Sequence, residues 1–192
     1  MKIITISGLA QHGKDTTATI FKNKLEKLGY KVLIIHYADY LKFICKQYFG
    51  WNGEKDINGR TLLQRIGTEK VRSKDPDFWV GIVEKFISVF GDDFDFILIP
   101  DTRFPNEIEY LKNKNYDVLS IKVNRINFKN GLTEEQRNHP SEIALNNYKF
   151  DRIIAYENGI EYVEMAVEQF IENEITHKQG DKNEKKNIWH RP

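Results

Sequence analysis

Cysteine occurs once in the 192 residues, at Cys45. One thiol closes no internal disulfide and leaves no CxxC or Cys/His set for zinc, which fits a reducing compartment and makes Cys45 a small helix residue. Net charge is also scarce, because 29 Lys+Arg against 28 Asp+Glu leave +1. No field of one sign points the whole protein at nucleic acid or an anionic membrane, so anion binding must be local. Missing too are an uninterrupted apolar run of about 18 residues, a leader-like apolar stretch with a small-residue cleavage site, and any repeat at solenoid periods. The expectation is a soluble, cytoplasmic protein with neither nucleic acid nor membrane as partner.

What is present fits one domain, a size at which about 70% of the unfolded surface is buried. Only 177–192 is of low complexity, where Lys, Asp, Asn, Glu and Gln crowd out apolar residues. It reads as a polar C-terminal tail, with Ile188-Trp189 as a pair able to dock on a neighbour. Runs rich in branched and aromatic residues predict strands at 2–7, 31–37, 94–99, 117–123 and 150–156. Most are continuously apolar, as strands buried on both faces of a parallel sheet are. Helical periodicity predicts helices at 14–28, ended by Gly29, at 40–49, ended by Gly50, and at 61–72, 77–90, 105–114 and 160–175. Such alternation implies a doubly wound α/β domain whose ligands bind at the carboxyl ends of the strands.

The first strand delivers Gly8-Leu9-Ala10-Gln11-His12-Gly13-Lys14, a complete G-x4-G-K. A turn from strand into helix leaves backbone N–H groups unpaired at the positive end of a helix dipole, and Lys14 adds a charge that reaches phosphates. Asp15 stands where a Ser or Thr usually ligates Mg²⁺. A carboxylate there either holds the metal or one of its waters, with Thr16 adding a hydroxyl, or simply favours the helix N-terminus. The second strand delivers His36, Ala38 and Asp39. The third, Phe94 to Asp101, has the look of a Walker B strand, with Pro100 expected to stop the ladder and release Asp101 toward Mg²⁺. Arg103 follows, planar and able to grip phosphate. Between the second and third strands, Arg60, Gln64 and Arg72 offer phosphate clamps, while Phe78 and Trp79 offer either a base platform or core packing. Residues 125–139 carry Arg125, Lys129 and Arg137, with Gly131 as a hinge for a basic lid that excludes water. Ser141 or the neighbouring Glu142 reads as a cap of the helix that follows, and His139 as structural or lid-positioning.

Taken in order, G-x4-G-K-D-T, Y-A-D-x-L-K at Tyr37 to Lys42, R-x-L-L-Q-x-x-G-T-E at Arg60 to Glu69, D-x-R-F-x-N-E at Asp101 to Glu107 and H-P-S-E at His139 to Glu142 resemble the phage deoxynucleoside monophosphate kinases. Phe150 to Ile154, followed by Asn158-Gly159, is similar to that family's last strand and loop. The resemblance implies a P-loop NTPase of adenylate kinase-like fold: three α/β/α layers around a five-stranded parallel sheet of order 2-3-1-4-5. One domain would span 1–176, with helices for the acceptor inserted at about 40–90 and a lid at about 125–140. The implied reaction moves the γ-phosphate of ATP, with Mg²⁺, to a deoxynucleoside 5'-monophosphate for phage DNA precursors. By the same resemblance, Gly8, Gln11, His12, Gly13, Lys14, Asp15, Thr16 and Thr17 bind ATP, and Asp15, Thr16 or Asp101 binds the metal. Asp39, Lys42, Arg60, Gln64, Arg72, Trp79, Arg103 and Glu107 surround the acceptor, and Lys14, Arg103, Arg125 and Arg137 are catalytic. A homodimer is what the family suggests. Gln11, His12 and Pro100 depart from the family's usual residues. The rivals are another small-molecule kinase of this fold, acting on dephospho-coenzyme A or phosphomevalonate, and a P-loop ATPase switch or DNA-packaging protein.

Overall fold

Successive residues of a strand face opposite sides of a sheet, and here that alternation sorts the core into two layers. Ile4, Ile6, Phe96 and Leu98 join one buried cluster, while Ile3, Ile97 and Ile99 join the other. The computed structural model describes residues 1–157 and 159–176. The tail expected at 177–192 lies outside the described residues, as does Asn158. In chain order the elements are β1 (Lys2–Ser7), α1 (Lys14–Lys27), β2 (Val32–Ile34), α2 (Ala38–Tyr48), α3 (Ile57–Gln64), α4 (Phe78–Phe90), β3 (Phe96–Thr102), α5 (Pro105–Asn113), β4 (Val118–Arg125), α6 (Glu134–Asn138), α7 (Pro140–Ile143), β5 (Arg152–Tyr156) and α8 (Ile160–Ile171). A π-helical stretch, Arg65–Arg72, continues α3.

All strand pairs are parallel, in the order β2-β3-β1-β4-β5. This is the expected sheet. One face is covered by α1 and α8, through Phe21, Leu25, Val163 and Val167, and the other by α2, α4 and α5, through Leu41, Val80, Val83 and Leu111. Among the described residues no helix is long and apolar enough to cross a membrane.

Four local expectations are corrected. Pro100 does not stop its strand, since β3 runs on to Thr102. The β1 register jumps from Thr5 opposite Ile99 to Ser7 opposite Thr102, and β2 pairing has ended at Leu98, so no ladder bond needs the missing N–H. The second strand is shorter than expected and α2 begins earlier, at Ala38, because Asp101 accepts the N–H groups of Tyr37 and Ala38 at 3.0 and 2.9 Å. The third helix begins at Ile57, where Asp56 caps the N–H of Gly59 at 2.7 Å. Gly59 is tolerated inside it because a Cβ there would strike the Glu54 carbonyl and the Trp51 indole. Finally, α6 occupies part of the loop expected after β4, started by a Thr133–Gln136 capping box.

Candidate active site

The loop after β1 owes its shape to glycines at both ends. Gly13 sits at φ 77°, the left-handed region, and a Cβ there would strike the Tyr156 hydroxyl. That hydroxyl donates to the His12 carbonyl at 2.6 Å, so β5 itself pins the loop. At the other end a Cβ on Gly8, at φ 154°, would meet the Val123 carbonyl of β4. The first α1 hydrogen bond to form is Thr17 N–H to Gly13 O at 2.8 Å, and helix geometry leaves the N–H groups of Lys14, Asp15 and Thr16 without intrahelical partners. This is an anion cradle at a helix N-terminus.

Lys14 is buried and donates to the carbonyls of Gly8 and Leu9 at 2.8 and 2.9 Å. Burial, and next the charge of Arg103, lower its ammonium to about 7. Asp15 accepts from His36 Nε2 at 3.0 Å, and that bond holds its carboxyl below the usual range. The same bond raises His36, whose Nδ1 lies 3.3 Å from Asp39, itself paired with Lys42 at 2.9 Å.

A cleft of about 420 Å³ opens beside the loop. Gln11, Lys14 and Asp15 of the loop line it together with Lys42, Arg60, Gln64, Arg72 and Trp79 of the helical segment after β2, and with Asp101, Arg103 and Glu107 from the end of β3 onward. Leu132, Gln136, Ser141 and Glu142 join the lining from the 126–151 connection. The π-helical stretch serves the helical segment. Its wider turn leaves Gly67 against Leu41, where a Cβ would not fit, and frees the Gly67 carbonyl to accept from the Trp79 indole at 2.9 Å. Trp79 is thus a core residue that also borders the cleft.

Arg72 is buried and stacks over Phe104, 3.9 Å from the ring centroid. Its guanidinium pairs with Glu107 and donates to Pro76 O and Asn106 at 2.9 and 3.1 Å, while its Nε has no partner among the described residues. Complete burial raises the Glu107 carboxyl to about 7 against the pull of Arg72. Its second oxygen accepts the N–H groups of Arg103 and Phe104 at 2.7 and 3.1 Å, which sets the direction of the chain leaving β3.

Of the other expected site residues, Thr16, Thr17, His12, Asp39, Arg125 and Arg137 stand outside the cleft lining, and Gln11 borders it. Thr17 is buried with its hydroxyl on Gly13 O, and Thr16 is exposed. The imidazole of His12 is buried and accepts the Arg125 N–H at 3.0 Å, with burial and then Lys14 lowering its pKa. Gln11, at φ 64°, accepts the Gly131 N–H at 2.9 Å. Arg125 lies over Phe128, 3.9 Å from its centroid, and Arg137 is exposed on α6. Asp39 faces His36 and Lys42. Two residues gained a place that sequence reasoning did not assign: His36, which was noted only at a strand exit, and Glu142, which was read as a cap. Glu142 reaches both Arg103 and the phosphate loop, at 2.6 and 3.2 Å.

Residues 34–167 match the family described as deoxynucleotide monophosphate kinase. The chain belongs to that family. The matched stretch holds the helical segment that lines the cleft, Arg103 and Glu142, and the phosphate loop precedes it. A deoxynucleoside-5'-monophosphate kinase of Escherichia phage T5 is 33% identical over 122 residues, 62% of this chain and 48% of that protein. The chain thus matches about half the length of this curated relative. Among solved structures, Mycobacterium tuberculosis APS kinase CysC with AMPPNP and APS is 12% identical, covering 90% of this chain and 98% of that one at a TM-score of 0.49. Shikimate kinase from Aquifex aeolicus is 14% identical, covering 90% and 96%, at 0.49.

Proposed function

We propose that this kinase-family chain transfers the γ-phosphate of ATP to a deoxynucleoside 5'-monophosphate. One observation carries the proposal: the glycine-bracketed loop with Lys14, the cationic side chains of Arg60 and Arg72, and Arg103 all line a single cleft. Phosphoryl transfer needs little covalent help from protein, so positioning and charge neutralisation suffice. The unpaired N–H groups of the loop and Lys14 hold the β and γ phosphates. Across the same cleft lining, Arg60, Gln64 and the buried Nε of Arg72, which has no partner among the described residues, take the acceptor's phosphate. Trp79 borders the acceptor pocket as packing. The helices of about 40–90 form the acceptor site, and 125–140 forms a lid. Arg125 and Arg137 reach the nucleotide only when that lid moves.

Mg²⁺ in such sites is held mainly by substrate phosphates and water, with one or two protein carboxylates. The donor set fits: among the described residues no cluster of three acidic, His or Cys ligands exists, but the Asp15 carboxylate is exposed at the cleft. Asp101 has both oxygens on α2 N–H groups, so Asp15, with the Thr16 hydroxyl beside it, is the better ligand. When bound, the ion neutralises charge across the β and γ phosphates. Small-molecule nucleotides are the partners, the host cytoplasm is the setting, phage DNA precursor supply is the role, and a homodimer is the form the family suggests.

A coupled ADP-release assay across the four common dNMPs, dephospho-coenzyme A and phosphomevalonate tests this. Turnover with at least one dNMP is expected, falling about 10²-fold or more in Lys14→Ala. Turnover with a non-nucleotide acceptor alone, or hydrolysis stimulated by DNA without a phosphorylated product, overturns the proposal.

A further inference from the structure

Glu142 lies 132 residues along the chain from Ala10, yet its Oε2 accepts the Ala10 N–H of the phosphate loop at 3.2 Å. Its Oε1 accepts from Arg103 Nη1 at 2.6 Å. The carboxylate is well buried, at 9% side-chain exposure, so it is held in place rather than waving in solvent. A one-turn helix, α7, presents it. His139 caps that turn, its Nδ1 accepting the Ser141 N–H at 3.2 Å and lying 2.8 Å from the Ser141 hydroxyl. The whole His139-Pro140-Ser141-Glu142 motif thereby converges on one contact.

Two roles fit a carboxylate placed there. It could sit in the seat of an incoming phosphate, or it could hold Arg103 for that phosphate. The guanidinium decides between them. Only Nη1 of Arg103 is engaged by Glu142, and its other side-chain N–H groups make no hydrogen bond among the described residues while Arg103 lines the cleft. An arginine presents five donors in a rigid fork, so one edge can stay on Glu142 while another receives phosphate. Left alone, a long side chain carries rotamer freedom that must be lost on binding.

We propose that Glu142 is a positioning residue that ties Arg103 to the phosphate loop, so that the free edge of the guanidinium meets the phosphate in flight. The proposal rests on the kinase function above. Its test is a double-mutant cycle of Glu142→Ala and Arg103→Ala, read on dNMP kinase turnover and, separately, on affinity for inorganic pyrophosphate by calorimetry. Each single variant is expected to lower kcat about 10²-fold with KM for ATP changed less than about threefold, and the double variant to be no worse than Arg103→Ala alone. Pyrophosphate affinity should fall in each single variant and not fall further in the double. Fully additive losses overturn the proposal, and so does tighter pyrophosphate binding in Glu142→Ala, the signature of a competing internal anion. If Glu142→Ala fails to fold, Glu142→Gln, which keeps the volume and one acceptor oxygen, enters the same cycle. Absence of turnover in the wild type with every acceptor counts against the kinase function alone. The pyrophosphate cycle then still decides the role of Glu142.

Discussion

When a triphosphate reaches the loop, Lys14 must exchange the carbonyls of Gly8 and Leu9 for phosphate oxygens. In the free protein burial lowers its ammonium to about 7, so roughly half the molecules carry the charge at pH 7 and about one-tenth at pH 8. Against phosphate oxygens the charged form is favoured and the pKa returns toward its ordinary value of about 10.4. Binding therefore takes up about 0.5 proton at pH 7 and about 0.9 at pH 8. At pH 8 the nucleotide is already fully ionised, which leaves the protein as the source of the uptake. Calorimetric titration of Mg-ATP in two buffers of different ionisation enthalpy reads the proton count directly. Lys14→Met should lose most of it. Absence of uptake at pH 8, or the same uptake in Lys14→Met, refutes the reasoning. Linkage gives a second check without ligand: between about pH 7 and pH 10 the unfolded chain binds a proton that folded Lys14 does not, so this group makes the free protein more stable as pH rises through that window.

The histidines should separate in an NMR titration: His36, raised by its bond to Asp15, ionises above 6.5, whereas His12 and His139, lowered first by burial, ionise below it. A His36 midpoint at or below that of His12 contradicts the carboxylate contact. Gly13→Ala combines a left-handed φ with a clash against the Tyr156 hydroxyl, and is expected to cost about 1–2 kcal/mol in urea unfolding together with most nucleotide affinity. An unchanged midpoint would count against the loop geometry. Arg72→Met removes the pull that holds the Glu107 carboxyl down, so at pH 8 the buried group must either stay charged without its partner or take up a proton, and the variant should cost about 3–5 kcal/mol, with Arg72→Met/Glu107→Gln recovering part of it, because the amide oxygen still accepts the N–H groups of Arg103 and Phe104. A double variant weaker than Arg72→Met would show that the charge pair is not what matters.

Local pattern made most of the scaffold legible. The apolar runs and the glycine-bracketed loop located five strands, because both faces of a parallel sheet must be filled and each filler has a local signature, while the sheet order came from the family resemblance. Pairings between distant residues were not legible. An apolar strand ending in an aspartate looks the same whether that carboxylate holds a metal or starts a helix, and only the fold brings Asp101 to the N–H groups of Tyr37 and Ala38. The arginines divided for the same reason. Arg60, Arg72 and Arg103 lie on the cleft because α3, the π-helical stretch that continues it and the end of β3 carry them there, whereas Arg125 lies on Phe128, three residues along its own chain. Spacing reveals that an arginine is near a site, but its partner decides where it points.

The same logic accounts for the two residues of the loop that departed from pattern. A phosphate loop needs small residues where its backbone must approach the ligand, yet Gln11 and His12 are large. Both turn their polar atoms outward from the loop onto the connection after β4. His12 Nδ1 takes the N–H of Arg125, where β4 ends, and Gln11 Oε1 takes the N–H of Gly131, six residues later. Because His12 accepts at Nδ1, its remaining ring proton must sit on Nε2, and a protonated imidazole would lose the bond; burial, which lowers its pKa, protects that tautomer. Phe128 closes against the His12 ring, edge to face at 5.6 Å between centroids, and the Arg125 guanidinium lies over the Phe128 ring. The loop is therefore held through Tyr156, Arg125 and Gly131, beside the Glu142 contact to Ala10, and the N–H groups that open α1 stay aimed at the cleft before any phosphate arrives.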